Sequence, residues 1–402
     1  MLNGRYLHFQ NFSMRPYYNA RPIGSLAALA KALRVDLGIL QKTATEINKH
    51  YHPHFIPKKS GGEREISIPS NHLKIIQKRI NKEIFENVVY PPYLHGGIAE
   101  KDYVKNAFSH SQAEVVIALD VKNFYPTITL KKTEEIFQYF CKFPRDVSQL
   151  LAALCCFNNV VPQGGCSSSH LANLVLHDTE YSLVAWLESK GYTYTRLLDD
   201  ISISSKRKIS KEEIDKIITK TKTSLKKSDL KLNNRKQKIT SRSNPVEFME
   251  VTGLWLNRGK PRAHRSDRKQ IRAEVHNCQR AAAIDLYSEE YHKLHNTVSG
   301  KVAKLAYLNH IEAEKYRKIL QNILPLYDQN IATSIFKQAT HLSKSKSSYR
   351  RKFVYFKKYH KVQYKTNILM RSDKQKAMQI KKILENCKPA GNKDELLYEE
   401  PI

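Results

Sequence analysis

Two stretches decide how this chain is read: LDVKNFYPTI at 119–128 and YTYTRLLDDISISS at 192–205. The first continues a short apolar run, EVVIALDV (114–121), that carries Asp120 near its end. A brief run of this kind fits a buried strand that delivers one acid to a cleft. The second reads as a hairpin with Asp199 and Asp200 at its turn. Acids beside apolar strands must be satisfied, because burying an unpaired carboxylate is expensive. If the two strands are neighbours, the carboxylates converge and repel, and a divalent cation resolves the repulsion. Hard oxygen donors suit Mg²⁺, with Mn²⁺ as the alternative. A pair of such ions activates an attacking 3′ hydroxyl and stabilises a leaving pyrophosphate. Taken alone, Asp199–Asp200 is more simply a solvated turn, where Asp is common.

The rest of the composition narrows the class. The chain has 402 residues, of which 41% are hydrophobic, enough for a sizeable core and for two or three folding units. No apolar run approaches the roughly 18 residues of a spanning helix. The first residues, MLNGRYLHFQNFSMRPYYNA, lack the basic-then-apolar order of a secretory signal, so a cytoplasmic location without membrane contact is expected. Six cysteines occur without a CxxC pair, which argues for reduced thiols and against common zinc spacings. Lys and Arg number 68 against 38 Asp and Glu, a net charge of +30. A polyanion is the economical partner for that excess, since bases that neutralise phosphates release condensed counterions.

Along the chain, Ile23 to Ile47 shows helical spacing, and KKSGGEREISIPS (58–70) reads as strand, Gly-Gly turn, strand. An amphipathic helix follows over 71–89, then a Pro/Gly-rich loop that turns helical near Tyr103. Helix is expected over about 131–157, one long helix within 161–190, and a basic helix over 211–229. Residues 246–263 are strand-like; beyond Pro261 the pattern is helical, including one long helix from about Asp267 to Val298. The stretch 341–393 holds 16 basic and 2 acidic residues interleaved with aromatics, among them Arg350, Arg351 and Tyr355. Bases alternating with stacking rings suit single-stranded nucleic acid. His50, His52 and His54 read as a surface loop, and Cys155–Cys156 as packing. The order of elements suits an α+β core with a helical appendage.

Five strings occur in one order and spacing: LDVKNFYPTI (119–128), VPQGG (161–165), LLDD (197–200), LNNRKQK (232–238) and VTGLWLN (251–257). With them the chain resembles the right-hand polymerases, specifically the retron-type bacterial reverse transcriptases. NAFSH (106–110) matches the NAxxH element of those enzymes, and Val251-Thr252-Gly253 their VTG element. The resemblance covers about residues 50 to 325. It implies an N-terminal region with fingers over 1–115, a palm with an antiparallel sheet over 116–260 and a helical thumb over 261–340; the basic aromatic extension over 341–402 has no match in that pattern.

It also implies roles. Asp120, Asp199 and Asp200 would be the catalytic acids and metal ligands, with the Val121 carbonyl as a further ligand to one of two Mg²⁺ ions. Lys58 and Arg64 would grip the triphosphate, with Lys59 behind them. Asn123, Tyr125, Gln163 and Gly164 would line the nucleotide site, Tyr125 excluding a ribose 2′ hydroxyl. Lys236 would approach the leaving pyrophosphate, with Lys238 as its rival. Asn106, His110, Val251, Thr252 and Gly253 would hold RNA; Arg350, Arg351 and Tyr355 of the tail are RNA-binding candidates on their alternation of bases and rings alone. The implied activity is RNA-directed DNA synthesis from dNTPs on a structured non-coding RNA, giving an RNA/DNA duplex in antiviral defence beside an effector or partner protein. One departure stands out: the family usually shows an aromatic, then a small residue, before the Asp pair, and here Leu197 and Leu198 stand there. That keeps alive an untemplated or protein-primed polymerase, or a degenerate one serving as an RNA-binding scaffold.

Overall fold

The computed structural model describes residues 14–57, 61–244 and 246–399 and divides the chain after Pro261 into two compact units. In the first unit, β1 (Tyr17–Tyr18) precedes two short helices, α1 (Leu26–Leu33) and α2 (Leu37–Thr45), where one was expected. Arg34 enters the left-handed region at φ 49° and ends α1, and Asp36 caps α2 by accepting the Ile39 N–H. The hairpin β2 (Tyr51–Pro57) and β3 (Glu63–Pro69) forms as expected; its tip, with Lys58, lies outside the described residues. His50 precedes β2, whereas His52 and His54 project from it, exposed. Then come α3 (Asn71–Glu83), β4 (Val88–Val89), α4 (Tyr103–Phe108) and β5 (Val115–Asp120).

The helical stretch after β5 comprises α5 (Phe124–Thr127), α6 (Leu130–Glu135) running into a π-helical turn, and α7 (Arg145–Cys155). Residues 161–190 give two helices rather than one, α8 (Ser168–Leu174) and α9 (Glu180–Ser189). The hairpin β6 (Tyr192–Leu197) and β7 (Asp200–Ser205) is followed by α10 (Lys211–Lys226), β8 (Lys238–Ser241) and the short hairpin β9 (Glu250–Val251) and β10 (Leu254–Trp255).

Four strands form the central sheet in the order β6-β7-β5-β8, each antiparallel to its neighbour. This is the split βαβ arrangement, in which two crossovers leave the first strand inside the sheet. The interior place of β5 explains its sequence: nearly every residue from Val115 to Asp120 is buried, so the run does not alternate. One apolar cluster, running from Leu29 to Leu230, packs helices and sheet together.

Asn106 and His110 of the NAxxH element and Val251 of the VTG element turn inward, which corrects the expectation that these three face RNA, whereas Thr252 is half-buried and Gly253 exposed. Asn106 and His110 are buried, and His110 bridges two strands, Nε2 to Thr195 Oγ1 and Nδ1 to Ser204 Oγ, each at 2.7 Å. Val251 is buried as well, while Thr252 and Gly253 take φ of 46° and 78° in the tight turn between β9 and β10. Such turns need positive φ at both central positions. Thr252 Oγ1 donates to the Tyr103 carbonyl at 2.9 Å, so the two elements brace each other.

In the second unit, α11 (Arg265–Ile284), α12 (Glu289–Tyr307) and α13 (Ala313–Asn322) share one apolar cluster. The long helix expected from Asp267 to Val298 is broken, and Ser288 caps α12 by accepting the Tyr291 N–H. A second cluster joins α14 (Gln329–Ser343) to later helices. Those are α15 (Ser347–Arg350), α16 (Phe353–Leu369), α17 (Lys374–Glu385) and α18 (Lys393–Glu399). Because α14 packs with α16 and α17, the apolar clusters divide between Leu320 and Ala332 rather than at residue 340.

The tail also departs from its expected role. Tyr355 is fully buried with its hydroxyl donating to the Cys387 carbonyl, so its ring is no stacking surface. Arg350 donates to the carbonyls of Asn386 (3.0 Å) and Ser343 (3.1 Å), tying helix ends together. Arg351 remains exposed, as do Lys357, Lys358 and Lys361. Among the described residues, no helix is long and apolar enough to cross a membrane.

Burial holds three histidines of the first unit neutral: it pushes His110 down to about 3 and His95 and His170 to about 4. In the unfolded chain each titrates near 6.5. Their linkage therefore costs nothing above that pH, and stability falls as pH drops from about 6.5 towards 4, by up to about 1.4 kcal/mol per unit for each uncompensated proton. Denaturant titrations at pH 7.0, 6.0 and 5.0 are expected to show this loss, with a shallower slope in His110→Gln.

Candidate active site

The site begins with a register. Asp120, at the end of β5, stands directly opposite Asp200, the first residue of β7, and Leu197 completes the same row from β6. Directly opposed residues of antiparallel strands project to one face. Asp199 occupies the two-residue turn between β6 and β7, where its carbonyl accepts the Val121 N–H at 2.9 Å. Asp120, Val121 and Asp199 thus meet where two chain segments touch.

Asp120 is already partnered. Lys236 Nζ lies 2.8 Å from its Oδ2, Asn233 Nδ2 3.2 Å from its Oδ1, and the Asn233 N–H donates to its carbonyl at 2.7 Å. That contact raises the Lys236 ammonium above its usual range. Lys238 sits on β8 opposite Ala118 with an exposed side chain, which separates the two rival lysines. Burial, with the charges of Asp199 and Asp120, lifts the Asp200 carboxyl to about 6; burial and Asp120 also raise Asp199. Among the described residues no three His, Cys, Asp or Glu side chains stand together as a metal-binding group in this arrangement. The donor chemistry nonetheless fits a hard divalent cation: three carboxylates repel one another, and one is neutralised by an ammonium.

Asp120 and Asp199 open onto a cleft of about 920 Å³. Its walls include Arg64 of β3, Asn123 and Tyr125 of the segment after β5, Gln163, Leu198 and Lys236. Asn123 holds φ 49° at the start of α5 and is exposed. Tyr125 is half-buried, and burial with the nearby Asp199 charge pushes its hydroxyl up to about 12. Gln163 reaches the cleft because its carbonyl accepts the Ser67 N–H at 2.7 Å. Gly164, at φ 121°, lies so close to β3 that a Cβ would stand 2.7 Å from the Ser67 carbonyl. Its role is therefore to let the loop lie on the β2–β3 hairpin.

The structure brings together Arg64, Asp120, Val121, Asn123, Tyr125, Gln163, Asp199 and Lys236 around that cleft, with Asp200 opposite Asp120 and Gly164 beside Gln163. Asn106, His110, Val251, Thr252 and Gly253 lie on supporting elements, and Arg350, Arg351 and Tyr355 in the second unit. Sequence reasoning missed Asn233, although it lies within LNNRKQK. It also missed Gln77, a buried side chain that receives the Cys166 N–H and donates to Tyr51 and the Leu154 carbonyl, fixing the 163–167 loop. The third omission is Arg196, whose only signal was a charge inside an otherwise uncharged strand.

Comparison with known proteins agrees with this geometry. The family model for reverse transcriptase (RNA-dependent DNA polymerase) matches residues 56–252. The Retron Se72 reverse transcriptase of Salmonella heidelberg is 39% identical over 328 residues, spanning 81% of this chain and 86% of that protein. The Retron Ec48 reverse transcriptase of Escherichia coli is 32% identical over 407 residues, spanning 96% and 98%. A solved telomerase from Candida albicans, in complex with a fragment of telomeric RNA, superposes with a TM-score of 0.39 and 10% identity over 85% of this chain and 62% of that one, a likeness too slight to argue from. With relatives matched over nearly their whole length, this chain belongs to the retron reverse transcriptases and is an RNA-directed DNA polymerase.

Proposed function

We propose that the chain makes DNA from dNTPs on a dedicated, structured non-coding RNA, with Asp120, Asp199 and Asp200 as its catalytic acids. The observation that carries this reading is the pairing of Asp120 with Asp200 at the mouth of the cleft, with Lys236 on Asp120. In this reading the central sheet is the palm, the β2–β3 hairpin belongs to the fingers, and α11–α13 form the thumb. The three carboxylates and the Val121 carbonyl would hold two Mg²⁺ ions. When bound, these supply Lewis-acid stabilisation of the triphosphate and ease loss of the proton from the primer 3′ hydroxyl.

The chain's own residues do the rest. Arg64 offers a planar two-pronged donor to phosphate oxygens from β3. Lys236 leaves Asp120 when that carboxylate takes another cation, and its ammonium is then free to give a proton to the departing pyrophosphate. The Tyr125 ring, fixed beside Asp199, fills the space a ribose 2′ hydroxyl needs, which selects deoxynucleotides by exclusion. Gln163 packs beneath the incoming nucleotide. Antiviral defence, with an effector or partner protein, completes the reading; family membership alone supports it, and deletion that leaves phage plating efficiency unchanged would remove it.

Three outcomes are expected. With its co-purifying RNA, the wild-type protein incorporates dNTPs into a product whose sequence copies that RNA. Asp199→Ala/Asp200→Ala reduces incorporation by at least about a thousandfold, the scale of several kcal/mol of lost charge stabilisation. A product unrelated to the RNA points instead to untemplated synthesis, and full activity in the double variant refutes the assignment of the acids. Tyr125→Ala raises ribonucleotide incorporation relative to deoxynucleotide by about tenfold or more, a change of at least about 1.4 kcal/mol in discrimination. Competition between labelled UTP and dTTP reads it directly.

A further inference from the structure

Behind the turn that carries Asp199 lies an ion pair sealed from solvent. The Arg196 side chain is 0% exposed and that of Glu180, on α9, 3%. Nε of Arg196 donates to Glu180 Oε1 at 2.5 Å and Nη2 to Oε2 at 2.8 Å. The remaining bonds run to backbone carbonyls: Nη2 to Asn173 at 2.9 Å, and Nη1 to Ala172 and to Leu198, both at 3.1 Å. A guanidinium has five N–H groups, and five bonds employ them. The Tyr194 hydroxyl adds a sixth contact to the cluster, donating to Glu180 Oε1 at 2.6 Å.

A buried ion pair is a poor source of stability, because desolvation offsets its attraction; a fixed geometry is what it supplies. Here the geometry concerns one carbonyl. Leu198 immediately precedes Asp199 and holds φ 59°, a region that branched L-residues seldom occupy. Arg196 grips the Leu198 carbonyl, and the next carbonyl, that of Asp199, is gripped by the Val121 N–H of the strand bearing Asp120. Two successive peptide groups of the turn are therefore clamped from different sides. The loop before α4 closes over them: Arg196 N–H donates to Tyr93, His95 N–H donates to Arg196, and a Cβ at Gly96 would stand 2.6 Å from Leu198 Cδ2.

We propose that Arg196, oriented by Glu180, is a positioning residue for nucleotidyl transfer: by holding the Leu198 carbonyl it keeps the turn left-handed and so sets where Asp199 and Asp200 stand relative to Asp120. The inference rests on the reading of those acids as cation ligands. A lysine at 196 answers the charge of Glu180, but one ammonium lacks the planar fork that reaches Glu180, α8 and Leu198 together.

The test uses the RNA-free full chain for Mn²⁺ binding, followed by electron paramagnetic resonance, and the RNA-bound full chain for steady-state dNTP incorporation. In Arg196→Lys the Mn²⁺ dissociation constant rises and kcat falls, each by about 10- to 100-fold, the range typical of groups that orient metal ligands, while KM for dNTP stays within about twofold. Glu180→Gln, which keeps the side-chain volume, shifts both quantities in the same direction and covers the case in which Arg196→Lys fails to fold. Tyr194→Phe removes a contact to Glu180 without touching the turn, and leaves both quantities at wild-type values whatever it does to the melting temperature. Wild-type Mn²⁺ affinity and kcat in folded Arg196→Lys or Glu180→Gln overturn the proposal, as does an equal loss in Tyr194→Phe. Asp199→Ala/Asp200→Ala separates the two levels of argument. If it abolishes Mn²⁺ binding while Arg196→Lys preserves it, only the positioning role fails; if it preserves Mn²⁺ binding itself, the reading of the acids fails.

Discussion

Like charges placed directly opposite each other in a sheet repel, and the pairing of Asp120 with Asp200 across β5 and β7 does this at the mouth of a cleft. Nothing in the backbone can relieve it, because a one-residue slip of either strand would turn the buried residues of β5 outward. The repulsion is met unevenly. Asp120 receives Lys236 and Asn233, whereas Asp200, at the exposed start of β7, has no such partner among the described bonds and is raised to about 6, with the charges of Asp199 and Asp120 beside it. A centre built this way has a standing affinity for positive charge, which Lys236 meets by direct contact with Asp120 and Arg64 by its charge near Asp199 and Asp200.

The surroundings hold that arrangement from several distant segments. The interior position of β5 fixes Asp120; the β6–β7 turn fixes Asp199; the segment between α10 and β8 brings Asn233 and Lys236. The 163–165 loop reaches the cleft only because Ser67 and Gln77 tether it and because a glycine allows close backbone approach at 164. His110 acts from beneath, linking Thr195 and Ser204 as a neutral ring. Each tether is a hydrogen bond to a group that would otherwise be buried unpaired, so loss of one partner costs more than the bond itself is worth.

Much of this was legible in the sequence, and the divisions have physical causes. An acid ending an apolar strand marks its own place, because apolar strands must be buried and acids must not be left unpaired; Asp120 stands out this way, whereas the Asp199–Asp200 turn gained its weight only from its place in the order of the other strings. Helix ends were harder. Arg34 and Ser288 interrupt patterns that continue smoothly on either side, because a single left-handed residue or cap costs little and leaves the periodicity intact. The tail misled for a related reason: bases and rings that alternate in sequence separate on a helix, so Tyr355 and Tyr359 face inward while Lys357, Lys358 and Lys361 face out. Asn106 and His110 were visible as a motif, but a motif does not say which face it serves. Long-range partners such as Gln77 with Cys166 leave no local trace at all.

The two leucines before the Asp pair show how placement changes the weight of a substitution. By sequence the loss of an aromatic at Leu197 kept the untemplated and scaffold alternatives open, since that position usually carries a ring. In the structure Leu197 is a paired strand residue, whereas Leu198 lines the cleft beside Asp199. The bulk added at 198, where the family usually has a small residue, must go somewhere, and it goes against Gly96, the one residue type whose missing Cβ leaves room for it. The same residue carries a strained φ and offers its carbonyl to Arg196. Size, strain and a buried hydrogen bond therefore converge on Leu198, and the departure from the family pattern lies in the wall of the cleft as much as in the lost ring. A larger side chain there changes the packing beside Asp199 without altering any charge, and the room for it comes from Gly96 rather than from the acids.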